Sequence, residues 1–125
     1  MSDFDHDLAL EILKQIQQSI STIRKRFEPI VSIDDFTNND TGLEKLDAIC
    51  MQLITIGESL KNLDKVTNKS LLSKYTEIDW KKVKGLRDII SYHYFDLNAE
   101  VIFDVCENHL DNLEFIIKKI IVDLS

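Results

Sequence analysis

At 125 residues, with 30% charged and 44% hydrophobic side chains, the chain has the balance of one folded domain, residues 1–125, and not of a disordered segment. Three Gly and one Pro supply too few tight turns for a sandwich or barrel, and no apolar run approaches the roughly 20 residues of a membrane span. A net charge of −7 argues against a nucleic-acid coat protein, which gains its affinity from many Lys and Arg, but not against an enzyme that meets RNA at one small basic site.

The acidic opening, Met1 to Leu10, has neither the basic nor the apolar region of a signal peptide, which predicts a cytoplasmic protein. Leu8, Ile12, Ile16, Ile20, Ile23 and Phe27 follow steps of 4, 4, 4, 3 and 4, one stripe along a helix with Ser2 or Asp3 as its cap and Pro29 at its end. A polar connection follows, with Ile33 and Phe36 expected to anchor it. A second long helix is expected from the cap Thr41, with Glu44 as its capping-box partner and a stripe of Leu43, Leu46, Cys50, Leu53, Gly57, Leu60 and Leu63. Gly57 costs roughly 1 kcal/mol in a helix interior, so close packing of another helix is its expected use. Asn68 to Tyr75 reads as a short helix or turn. Asp79 caps a third helix with Trp80, Val83, Leu86, Ile89 and Ile90 on its apolar side. Asn98 caps the last, striped by Val101, Val105, Leu110, Leu113, Ile117, Ile120 and Leu124. The prediction is all-α: an up-and-down bundle of four main helices plus one short helix.

Cys50 and Cys106 lie among apolar residues at helical spacing and are expected as buried thiols. Three scattered glycines cannot form a phosphate loop, and His6, His93 and His109 are too far apart for zinc spacing. Asp34-Asp35 and Asp3-Asp5-Asp7 suit solvated turns and helix starts, and His109 a helix surface. Two basic clusters run against the overall sign: Arg24-Lys25-Arg26, and Lys81-Lys82-Val83-Lys84 leading to Arg87.

The second cluster enters the most unusual segment, Gly85 to Asp96. On a helix, Arg87, Ile90, Ser91 and Tyr94 fall on roughly one side, flanked by Tyr92 and His93. Arg holds phosphate bidentately, and His moves a proton near neutral pH. Together they suit RNA cleavage without a metal, in which a 2′-hydroxyl attacks the adjacent phosphate and Arg stabilises the phosphorane. Spacing leaves this beside two alternatives, a catalytically silent helical partner and a helical nucleotide-binding module. The aromatics Trp80, Tyr92, Tyr94 and Phe95 also leave surplus apolar surface for a dimer contact.

Two segments, Gln52 to Glu58 and Trp80 to Asn98, resemble the HepT-like branch of the HEPN ribonuclease toxins, and the likeness runs over essentially the whole chain. The resemblance implies a HEPN-like helical homodimer that brings two motif copies to one cleft. It also implies a bacterial toxin of a type VII-like pair, whose RNA-cleaving activity an MNT-type nucleotidyltransferase antitoxin silences by moving AMP from ATP onto a tyrosine. Members carry Arg, four spacers, His, one residue, then Tyr. Here the Arg is Arg87, the AMP acceptor is Tyr94, and Tyr92 occupies the His position, with His93 immediately after. One residue turns a helical side chain by about 100°, so His93 does not simply replace a residue at position 92. Tyr92 and His93 are therefore the candidate proton-transfer residues of a rearranged, weakened or inactive site. Lys84, Arg87 and Asp88 are the candidate RNA-binding residues, and no metal or cofactor is expected.

Overall fold

The computed structural model describes residues 4–92 and 98–125, and every regular element among them is helical. Helix α1 spans His6–Phe27 and is capped by Asp5, whose carboxylate accepts the Leu8 N–H at 3.1 Å; the cap expected at Ser2 or Asp3 thus falls at Asp5. Its core face is Ala9, Ile12, Leu13, Ile16, Ile20 and Ile23, while Leu8 is 41% exposed. Successive steps of four drift about 40° round a helix, which carries the first member of the expected stripe off the core.

The connection holds a single turn, α2 (Asp34–Thr37), anchored by Ile30 and the fully buried Phe36; Ile33, expected in that role, faces outward. Burying Phe36 contributes roughly 1.5–3 kcal/mol. Its ring lies 6.1 Å from that of Phe27, which meets Phe103 edge-on at 5.4 Å. Helix α3 (Asp40–Thr67) starts from Asn39, not Thr41, because the extended backbone of Asn39 lets its side chain accept the Gly42 N–H at 2.8 Å. A Cβ on Gly42 would stand 2.0 Å from the Asp35 carbonyl oxygen, so only glycine allows α2 to fold onto the start of α3.

After α3 come a 3₁₀ turn (Leu72–Lys74), α4 (Trp80–Lys84) and α5 (Leu86–Tyr92). The expected third helix is therefore two short ones, broken at Gly85. The last begins at Asn98 itself, the residue expected to cap it, and comprises α6 (Asn98–Asp104), a π turn (Val105–His109) and α7 (Leu110–Leu124). After the π turn Leu110, Leu113, Ile117 and Ile120 are core as expected, but in α6 and the start of the turn the buried face lies one residue on from the expected stripe. Ile102 and Cys106 are buried there, in place of the half-buried Val101 and Val105.

Helix α1 packs along α3 and α7, and α3 carries α2, α4, α5 and α6 on its other sides. The C-terminal end of α1 meets the N-terminal end of α7, where Arg24 pairs with both Asp111 and Glu114, so these helices run antiparallel. At the opposite end the Tyr75 hydroxyl donates to Asp123 at 2.6 Å. Trp80 is core, its Nε1 donating to the Tyr75 carbonyl at 2.7 Å, and so is not part of a surplus aromatic surface. Cys50 and Cys106 are buried thiols as expected, not joined in a disulfide; desolvation, with Cys50 adding to it, pushes Cys106 up to about 12. Among the described residues no helix is long and apolar enough to cross a membrane.

Candidate functional site

The site is built on a close crossing of α4 over the middle of α3. At Gly57 a Cβ would lie 3.2 Å from the Val83 carbonyl oxygen and 3.3 Å from that of Lys84. The glycine thus lets the last turn of α4 rest against α3, the use its position in the sequence predicted. Asp79 caps α4 by accepting the Lys82 N–H at 3.2 Å, and Trp80 fixes its start in the core. Gly85 then closes α4 by donating to the Lys81 and Lys82 carbonyls, and its own carbonyl accepts the Asp88 N–H at 3.1 Å to open α5. Four residues of α4 and α5 thereby acquire fixed positions relative to α3: Lys84, Arg87, Asp88 and Ser91.

Two cations of this segment land on two carboxylates of α3. Arg87 Nη1 donates to Glu58 Oε1 at 3.1 Å, and Lys84 Nζ pairs with Asp64 Oδ2. The two pairs differ in burial. Asp64 is 9% exposed, so Lys84 compensates a largely buried carboxylate, whereas the Arg87 side chain is 60% exposed. An exposed pair of this kind is worth about 1 kcal/mol or less, which leaves the guanidinium free to exchange Glu58 for a phosphate. Glu58 also reaches Lys61, at 3.8 Å.

Of the expected site residues, Arg87 and Asp88 are exposed on α5, and Lys84 is partly covered at the end of α4. Tyr92 closes α5, while His93 and Tyr94 lie outside the described residues. Ser91 shares the solvent side with Arg87, but Ile90 does not: it is 4% exposed and, with Leu86, seats α5 on the core. The sequence reading missed Asp64 altogether, and it gave Glu58 no role beyond its place in the resembling segment. His109 is exposed as expected, 3.3 Å from Asp104.

The sequence pattern of the HepT-like ribonucleases matches residues 16–120. The chain belongs to the HepT-like ribonuclease family. It is 36% identical over 104 residues to "Putative RNase MJ0127" of Methanocaldococcus jannaschii, covering 78% of this chain and 83% of that one. It is 30% identical over 109 residues to "Putative RNase TTE0752" of Caldanaerobacter subterraneus, covering 87% and 90%. A third relative, "Gamma-glutamylcyclotransferase and putative RNase MJ0434" of M. jannaschii, is 29% identical over 113 residues, which is 47% of its length. No solved structure matches the chain significantly. The stretch matched to the HepT-like family takes in the whole α3–α4–α5 crossing that holds Glu58, Asp64, Lys84 and Arg87.

Proposed function

We propose that the chain is the toxin of a type VII-like HEPN/MNT toxin–antitoxin pair. In this reading it is a homodimeric, metal-independent endoribonuclease that an MNT-type nucleotidyltransferase silences by transferring AMP from ATP to Tyr94. Membership of the HepT-like ribonuclease family carries this reading. The exposed guanidinium of Arg87 supports it, because a planar, permanently charged fork suits a phosphate whose negative charge grows during the reaction.

In that reaction the 2′-hydroxyl oxygen of RNA bonds to the adjacent phosphorus and gives its proton to a base. The bond from phosphorus to the 5′ oxygen breaks, leaving a cyclic phosphate and a strand that takes up a proton as its 5′-hydroxyl. Arg87 stabilises the phosphorane between these steps. Proton transfer falls to Tyr92 or His93. Tyrosine ordinarily ionises near pH 10, about three units from the best base at neutral pH, and general acid–base catalysis contributes about 10²- to 10⁴-fold. With Tyr92 in the family's His position, the chain is a weakened nuclease that keeps its affinity for RNA.

Growth arrest and RNA cleavage test this reading in the native chain, Tyr92→His, Tyr92→His with Arg87→Ala, and His93→Ala. We expect Tyr92→His to raise both readouts at least about tenfold and the added Arg87→Ala to remove them. A fully active native chain, unchanged by Tyr92→His and abolished by His93→Ala, overturns the role given to Tyr92. If no variant cleaves RNA, the chain is instead a silent helical partner of the nucleotidyltransferase. Incubation with antitoxin and ATP should add AMP to the native chain and not to Tyr94→Phe, and a solution mass of 14.5 kDa would exclude the homodimer.

A further inference from the structure

Beside Arg87 the surface opens into a groove of about 620 Å³ lined by Lys61, Asp64, Lys65, Asn68, Lys69 and Lys84. Four lysines here face one aspartate, in a chain whose net charge is −7. The aspartate is already matched, since Asp64 is paired with Lys84. Among the described residues no carboxylate lies within ion-pair distance of Lys65 or Lys69, and Lys61 stands 3.8 Å from Glu58 Oε1, the oxygen that Arg87 holds more closely at 3.1 Å.

The end of α3 is shaped so that the lysines converge. Asn68 and Lys69 both take left-handed backbone, with φ of 54° and 60°, and the Lys69 N–H returns to the Asp64 carbonyl at 2.8 Å. This closure brings Lys69 into the groove with Lys61 and Lys65, which stand two turns and one turn before it. Complementing the helix dipole accounts for a cation in the last turn, but that effect fades within one turn and does not extend to Lys61.

We infer that this groove is a track for the backbone of single-stranded RNA, leading to Arg87. The inference rests on the ribonuclease reading above and adds to it where the strand flanking the cut would lie. The contacts make the groove and Arg87 continuous: Lys61 touches Glu58, Glu58 holds Arg87, and Lys84 lies three residues before Arg87 on the same crossing. Lysines spaced along a helix neutralise successive phosphates without reading base identity, so the track is indifferent to sequence.

The test measures binding of a fluorescent RNA strand carrying 2′-O-methyl groups, which lacks the attacking hydroxyl, across a series of salt concentrations. Cleavage of unmodified RNA is followed in parallel. The groove variant is Lys61→Gln, Lys65→Gln and Lys69→Gln together. A control of equal net charge is Lys14→Gln, Lys25→Gln and Lys118→Gln, all exposed and outside the groove. Each lost phosphate contact lowers the salt slope by about 0.7, so the groove variant should lose about 2 in slope and about ten- to a hundredfold in affinity at 0.1 M salt. Its KM for cleavage should rise while kcat holds, and the single change Lys65→Gln, which leaves the α3 terminus intact, should lose about 0.7 in slope. Native binding and cleavage with a groove variant indistinguishable from the native chain overturns the track and leaves the ribonuclease reading standing. Equal losses in the control overturn it as well, since net charge then explains them. A native chain that neither binds nor cleaves RNA overturns the ribonuclease reading and the track with it.

Discussion

Replacing Gly57 tests whether the crossing of α4 over α3 holds the site together. A Cβ at this position meets the Val83 and Lys84 carbonyl oxygens at 3.2 and 3.3 Å, just inside ordinary contact. Gly57→Ala therefore sets a helix-propensity gain of about 1 kcal/mol against a backbone shift of a few tenths of an ångström. Its net effect should stay within about 1 kcal/mol of the native chain. Gly57→Val adds two methyl groups reaching about 1.5 Å beyond the Cβ, toward carbonyls that α4 cannot withdraw without leaving its seat. Overpacking of this kind costs about 1–3 kcal/mol. With a urea slope of about 2 kcal/mol/M, the unfolding midpoint should fall by roughly 0.5–1.5 M. Because α4 carries Lys84 and leads into Arg87, the valine should also weaken RNA binding in native buffer, before any unfolding. If Gly57→Val keeps the midpoint of Gly57→Ala and native RNA binding, the close approach does not position these residues and the account of the site fails.

Lys84→Ala should cost about 1–3 kcal/mol because it leaves the buried Asp64 carboxylate without its cation, and adding Asp64→Asn should recover part of that loss in the same urea titration. Burial, with the bond to Asp123, pushes Tyr75 up to about 12. Its folded-state value exceeds the unfolded value near 10, so its stabilisation is complete below pH 10 and is lost as pH rises through about 12. Urea midpoints measured at pH 8, 10 and 11 should therefore fall less steeply in Tyr75→Phe than in the native chain. Cys50 and Cys106 should resist a thiol reagent at pH 8 until denaturant is added; rapid labelling of the folded chain would contradict the burial that pushes Cys106 up to about 12.

The sequence by itself determined the helical class and most of the core. Scarce Gly and Pro removed the turn-rich alternatives, and runs such as Ile12, Ile16, Ile20 and Ile23 repeat only as a helix repeats. The close packing at Gly57 was legible because a glycine in a long helix has a local cost that something must offset. Arg87 stood out because its segment combines residue types with definite chemistry. Boundaries were less legible: Asn39 and Asp5, not Thr41 and Ser2 or Asp3, cap their helices, since several polar residues can cap and local backbone geometry chooses among them. The π turn at Val105–His109 was invisible because a single added residue leaves composition unchanged, and the apolar stripe after it falls where expected. Only the tertiary structure decided the partners of the site. Glu58 and Asp64 are 29 and 20 residues from Arg87 and Lys84, and no periodicity within one helix states which residue of another it will face. That register is set where backbones touch, at Gly57 against Val83 and Lys84, and it turns a scatter of lysines in an acidic chain into one groove beside Arg87.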